Sequence, residues 1–255
     1  MSEDNLQQAT LELALRLGDD ALVMGQRLSE WVSNAPYLEE DIACANVALD
    51  FIGQARMYYG YAAELAADGR CEDDFAYLRS EREFHNYLIL ELPRGDFAFT
   101  QVRQLLVDLY NSGFLAQLCR SRDATLAAIA AKATKETRYH LRRSHEWVVR
   151  LGDGTEESKR RTQQALEELW GYTHELFEPD TLEQQLAQAG IGVDTRMLKA
   201  HWQQELEALA REAGLHLPQN DWAVRGGRTG YHTENLGHLL MELQSIHRAY
   251  PGCQW

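Results

Sequence analysis

The sequence has little of what interrupts or staples a chain. Five prolines in 255 residues leave room for long helices, because proline removes an amide donor and breaks a helix interior. The four cysteines, Cys44, Cys71, Cys119 and Cys253, show neither C-x-x-C spacing nor a disulfide framework. Cys44 and Cys119 sit in apolar helical stretches and read as reduced, buried thiols. No apolar run approaches the ~20 residues that a membrane span needs. The opening Met1-Ser2-Glu3-Asp4-Asn5 has no basic start and no apolar h-region, so no secretory signal and a cytoplasmic location are expected. Positive charge is scarce too: 25 Lys and Arg stand against 39 Asp and Glu, a formal charge of −14. Phosphate backbones and anionic lipid would be repelled, so neither nucleic acid nor membrane is an expected partner, and a basic face on a protein partner would suit the chain.

What is present is helical periodicity, with a hydrophobic content of 45% that is ample for a core. A first segment, about 6–33, places Leu11, Leu15, Leu22, Leu28 and Trp31 near one face and stops before Asn34-Ala35-Pro36. A second, about 38–67, carries Ile42, Ala45, Leu49, Ile52, Tyr59 and Ala62 at steps of three or four and ends at Asp68-Gly69. A shorter charged helix is expected over about 72–91. Two more follow over about 97–120 and 124–151, with Asp123 as an N-cap. Short connections at 34–37 and 121–123 make antiparallel neighbours, and the longer passage between the pairs allows a crossover along the bundle. The expected fold is therefore all-α: a ferritin-like four-helix bundle over about 6–151. Additional C-terminal helices at about 156–176, 194–213 and 234–248 are appended over 155–255. No Pro/Gly/Ser linker divides the chain, so residues 1–255 read as a single domain.

A ferritin-like bundle invites a search for a two-metal carboxylate site. That chemistry needs Glu from two helices and Glu-x-x-His from each of the other two, because a three-residue step puts both ligands on one inward face. The residues three before the histidines are Arg82, Thr137, Arg142, Gly171, Leu198, Ala213, Thr229, Asn235 and Gln244. None is acidic, and the second helix has no histidine. Polar residues nevertheless fall where a bundle interior could hold them: Asn46, Asp50 and Gln54 on the second helix, Asp108 on the third long helix, Glu136 and His140 on the fourth. They read either as a degenerate metal or proton-handling site or as an ordinary polar cluster. Acid–His pairs at i,i+4 also occur at Glu81/His85, Glu212/His216 and Glu234/His238, so the spacing by itself says little. Buried carboxylates without metal need partners, and Arg56, Lys135 and Arg138 are available in sequence. Gly226-Gly227-Arg228-Thr229-Gly230 precedes a helix and could present amides to phosphate, but it lacks a preceding strand and the Walker Lys–hydroxyl pair. It reads as a loop that positions the last helix. The dispersed Trp31, Tyr58, Tyr59, Trp147, Trp170 and Trp202 read as core or interface anchors.

Several stretches, taken in order, carry a resemblance. They are Leu15-Arg16-Leu17-Gly18-Asp19-Asp20 with Gln26-Arg27-Leu28-Ser29-Glu30-Trp31, and Ala45-Asn46-Val47-Ala48-Leu49-Asp50 with Gly53-Gln54-Ala55-Arg56. Further on come Lys135-Glu136-Thr137-Arg138-Tyr139-His140-Leu141-Arg142 and Arg150-Leu151-Gly152-Asp153-Gly154-Thr155. The last are Gly230-Tyr231-His232-Thr233-Glu234-Asn235-Leu236-Gly237 and Pro251-Gly252-Cys253-Gln254-Trp255. Over essentially the whole chain these resemble the PaaC family, the structural subunits of bacterial phenylacetyl-CoA epoxidases. The resemblance implies a ferritin-like subunit without catalytic, metal or cofactor-binding residues of its own. Its implied partners are a catalytic di-iron subunit, a small accessory subunit and a reductase, in a hetero-oligomer that uses iron, O₂ and NADPH through those other subunits. His140 corresponds to a metal-binding histidine of the catalytic relative, but Thr137 replaces its glutamate, so no ligand role is carried over.

Three readings follow. A scaffold would bury on the order of 2,000 Å² against the catalytic bundle and hold its ligands to about half an ångström. An autonomous carboxylate-bridged metal oxidase would use Asp50, Asp108, Glu136 and His140 and would hold stoichiometric metal. An acyl-CoA binding module would use the loop at 225–230 and depend on Arg225 and Arg228.

Overall fold

The computed structural model describes residues 3–253. Met1, Ser2, Gln254 and Trp255, the last two in the tail motif, lie outside the described residues. The α-helices are α1 Glu3–Ser29, α2 Leu38–Ala66, α3 Glu72–Tyr77, α4 Leu88–Glu91, α5 Phe97–Leu118, α6 Ala124–Gly152, α7 Glu156–Trp170, α8 Thr181–Gln188, α9 Lys199–Glu212 and α10 Glu234–Ala249. No strand occurs among the described residues.

Four of these, α1, α2, α5 and α6, form the ferritin-like bundle. α1 packs most extensively on α2 and α5 on α6, and α2 also borders α6. The α2–α6 seam runs antiparallel, with Glu40 paired to Arg143 at one end and Gln54 to Glu136 further along. Helix starts follow the local chemistry. Asp96 accepts from the Phe99 amide at 2.8 Å, and Asp123 from the Leu126 amide at 2.9 Å, as expected of an N-cap. α2 has no side-chain cap, and its acidic first turn of Glu39, Glu40 and Asp41 complements the helix dipole.

The passage 67–96 differs from the single helix expected over 72–91. Only α3 and α4 are helical there, joined by a 3₁₀ turn at Glu81–Glu83 and extended chain through Tyr87. The cause lies on α1, about sixty residues upstream. Asp19 takes the His85 amide at 2.8 Å and Asp20 takes the Tyr87 amide at 2.9 Å. Amides held by carboxylates cannot close helical bonds, and the straightened chain drops Phe84, Tyr87, Ile89 and Leu90 into the core. Gly18 lets this happen: a Cβ there would sit 2.4 Å from the Tyr59 ring, whose hydroxyl donates to Asp19 at 2.6 Å. The Gly18-Asp19-Asp20 motif is thus the clasp of the crossover.

The C-terminal third closes over that crossover. α7 packs on α5 and α6, and α9 on α5, with the Trp202 indole donating to the Leu106 carbonyl at 3.0 Å. The helix expected over 156–176 ends at Trp170 and gives way to a 3₁₀ turn at His174–Phe177, and α8 is an additional helix beyond those expected. Likewise α1 ends at Ser29, short of 33, because the buried Trp31 turns inward to donate to the Thr100 hydroxyl at 3.0 Å.

One helix face is also corrected. Tyr59 and Ala62 of the α2 stripe are buried, but Ile42 and Leu49 are exposed and Ala45 and Ile52 only half-buried. The core face of α2 is instead Cys44, Val47, Ala48, Phe51, Ala55 and Tyr58. α2 has two apolar faces, and one is uncovered.

Candidate functional site

Helical spacing on α6 places Glu136, His140, Arg143 and Ser144 toward α2 and α5. His140 is buried; its Nε2 lies 2.9 Å from Asp50 Oδ2, and its ring is tilted against Phe51 at 5.2 Å between centroids. The bond assigns the Nε2 proton to the side facing Asp50, while Nδ1 is buried without a partner. Asp108 is fully buried on α5. One oxygen accepts from Gln104 Nε2 at 2.6 Å and the other from the Ser144 hydroxyl at 2.8 Å. Burial pushes its carboxyl up to about 6, against the opposing pull of His140 and these hydrogen bonds. Glu136 accepts from Gln54 Nε2 at 2.8 Å. At the end of the seam Arg143 donates to Glu40 at 2.5 Å and to the Cys44 sulfur at 3.2 Å. Burial pushes the Cys44 thiol up, so it is the inert thiol expected; Cys119 is only half-buried.

The structure thus joins Asp50 to His140 and brings Asp108 near, while Glu136 is engaged separately by Gln54. Asn46 does not belong: it points to solvent. Nor are the carboxylates held by the cations expected of them. Lys135 and Arg138 are exposed, and Arg56 pairs with Glu72. The partners that sequence reasoning missed are Gln104 and Ser144. The signal was present in Gln101, Gln104 and Asp108, polar residues at steps of three and four inside an apolar helix. These donors do not fit a two-metal centre. Each carboxylate is bonded to an amide, hydroxyl or imidazole of the same chain. Thr137 occupies the glutamate position before His140 and is buried. Among the described residues no group of three or more His, Cys, Asp or Glu is placed to hold a metal ion.

The glycine loop at 226–230 is likewise engaged from within. Glu175 Oε1 accepts the amides of Gly226 and Gly227 at 2.9 and 2.8 Å, occupying the cradle an anion would use. A Cβ at Gly227 would sit 2.1 Å from the Asn86 carbonyl. Arg228 is buried over the Tyr87 ring at 3.5 Å and paired with Asp20 at 2.8 Å and Glu183 at 3.2 Å. Arg225 pairs with Glu178. The adjoining cavity of about 360 Å³ is lined by Glu175, Glu178 and Asp180 as well as by the arginines, a poor surface for a polyanion. Next along the chain, His232 donates to Glu91 at 2.8 Å and to the Phe84 carbonyl at 2.8 Å. Burial lowers its pKa, but the hydrogen bond and charge of Glu91 outweigh that, and the net direction is upward. The loop and the start of α10 are therefore a second clasp on the crossover.

No described helix is long and apolar enough to cross a membrane. Compared with known proteins, residues 1–255 match the family described as phenylacetic acid catabolic protein. The chain is 49% identical over 241 residues to a protein of Escherichia coli (strain K12) that is named as a subunit of 1,2-phenylacetyl-CoA epoxidase, covering 94% of this chain and 97% of the relative.

Proposed function

The chain belongs to the phenylacetic acid catabolic protein family, and from that membership we propose that it is the non-catalytic structural subunit of a multicomponent oxygenase that epoxidises the ring of phenylacetyl-CoA. The relative's name, which makes it one subunit among others of an epoxidase, supports a place in a hetero-oligomer. The observation that supports the non-catalytic reading is the bonding of the three candidate carboxylates to side chains of this same chain. Asp108 is taken by Gln104 and Ser144, Glu136 by Gln54, and Asp50 by His140. Such a core holds its helices in a fixed register but offers no free ligand set.

In this reading iron is held by a catalytic subunit, while a reductase delivers electrons from NADPH for the reduction of O₂ and a small accessory protein completes the assembly. The present chain supplies rigidity. α1 is tied to the crossover through Asp19 and Asp20, and the crossover to the C-terminal third through Arg228, which donates to the His85 carbonyl, and His232, which bonds Glu91. A bundle braced in this way holds a partner's ligands to the roughly half-ångström tolerance that catalysis needs. The acyl-CoA module is the weaker reading, because Glu175 already fills the loop's amide cradle.

The test is the metal content of the chain purified alone from iron-supplemented growth, and again after co-expression with the catalytic subunit. The proposal expects stoichiometric iron only in the second preparation, assigned to the partner. Tightly bound iron in the first, lost on His140→Ala, would overturn it in favour of an autonomous oxidase.

A further inference from the structure

Between α1, α2, α5 and the crossover lies a cavity of about 40 Å³ whose lining includes neither Asp50 nor His140. Met24, Phe51, Phe114 and Leu176 give it apolar walls. A cavity with nothing but such walls stays dry. Here polar side chains reach it as well: Gln54 and Tyr58 from α2, Tyr110 and Asn111 from α5, Tyr87 from the crossover and Asp20 from α1.

Asp20 is fully engaged by Arg228 and the Tyr87 amide. The other polar groups are not. Tyr58 is 3% exposed, and its hydroxyl bonds no other described residue. Burial pushes its phenol up, so it keeps its proton and remains a donor. Gln54 gives its amide nitrogen to Glu136 at 2.8 Å, which leaves Oε1 as an acceptor with no described partner. The half-buried Asn111 amide bonds no other described residue. Tyr87 and Tyr110 share one bond of 3.0 Å between their hydroxyls. Two hydroxyls carry two protons and that bond uses one, so the pair still has a proton to donate. Other unmet atoms of the core, such as Gln104 Oε1 and Arg103 Nε, are sealed by packing. The groups around the cavity share an open space instead.

We infer that this cavity is a built-in hydration site that binds about two or three water molecules, at roughly 10–15 Å³ or more for each. A benzene-sized ligand needs about 150 Å³, so aromatic rings are too large for it. Water also has the required chemistry. It accepts from Tyr58 and from the tyrosine pair, and it donates to Gln54 Oε1. An ion cannot do both, and an apolar gas can do neither. The bound waters join α2, α5 and the crossover by hydrogen bonds, and they relieve the desolvation penalty that each unmet group would carry.

The full-length chain tests this, by crystallography with and without xenon pressure and by oxygen-17 relaxation dispersion, which counts long-lived internal waters. The parent should show ordered water against Tyr58 and no xenon in the cavity. Tyr58→Phe keeps the ring and should lose at least one long-lived water. Val107→Ile adds a methyl group to the lining and should also lose at least one. Tyr139→Phe, at an exposed position on α6, should lose none. Circular dichroism and melting establish that each variant is folded. Xenon in the parent cavity, or an unchanged water count in both Tyr58→Phe and Val107→Ile, would overturn the inference. If Tyr58→Phe does not fold, the xenon experiment on the parent and the count in Val107→Ile still decide it.

Discussion

Replacing Arg228 by methionine removes the cation that joins three distant segments of the chain. Its guanidinium bonds Asp20 on α1 at 2.8 and 3.0 Å, the His85 carbonyl in the crossover at 2.6 Å, and lies 3.2 Å from Glu183 on α8. Methionine fills much of the volume over the Tyr87 ring but leaves Asp20 and Glu183 in a buried site without their main counter-charge. Breaking one side of a buried ion pair costs about 3–5 kcal/mol. At roughly 2–4 °C per kcal/mol for a chain of this size, melting should fall by roughly 6–20 °C. The sign of the pH dependence follows. Burial already holds the Asp20 carboxyl up at about 6 against the pull of Arg228; without that cation it rises further, so the deficit is largest at neutral pH and shrinks as acid protonates Asp20. Denaturant titration of parent and variant between pH 5 and 8 measures both effects, and adding Asp20→Asn to the variant should restore part of the loss. A change below about 1 kcal/mol, or one that does not vary with pH, would refute the idea that this ion pair clasps the crossover.

Asp108→Asn should stabilise the chain at alkaline pH. The folded carboxyl, at about 6, lies above its ordinary 3.8, so its contribution is complete below the lower value and is lost as pH rises through the upper. Removing the charge should gain up to about 3 kcal/mol at pH 8 relative to pH 4, read from denaturation curves at both. His232 has the same sign: its raised pKa makes its clasp complete below the ordinary 6.5 and lost as pH rises past the folded value. Its NMR titration should have a midpoint above 6.5, and Glu91→Gln should bring the midpoint down. Gly227→Ala forces a Cβ into the Asn86 carbonyl and should cost about 1–3 kcal/mol, measured by melting.

Periodicity and breakers locate the four long helices and the Asp123 cap because those depend on neighbours in sequence. The break in the 72–91 helix is not visible there, since it is imposed by Asp19 and Asp20 from α1. The α2 stripe is visible, but its period does not say which side it faces. An uncovered row and a core row obey the same helical period, and only the position of α1 and α6 shows which is covered. In the bundle interior, Asp50, Asp108, Glu136 and His140 stand out by type and spacing. What they bond to does not, because Gln54 meets Glu136 across 82 positions and Ser144 meets Asp108 across 36.

The measurement with most bearing on the structural-subunit account is the rate of phenylacetyl-CoA epoxidation by catalytic subunit, accessory subunit and reductase, with the present chain omitted or added. The account predicts little turnover without the chain, restoration on adding it, and none from the chain with reductase alone. An undiminished rate in its absence, or turnover by this chain without the catalytic subunit, would contradict it.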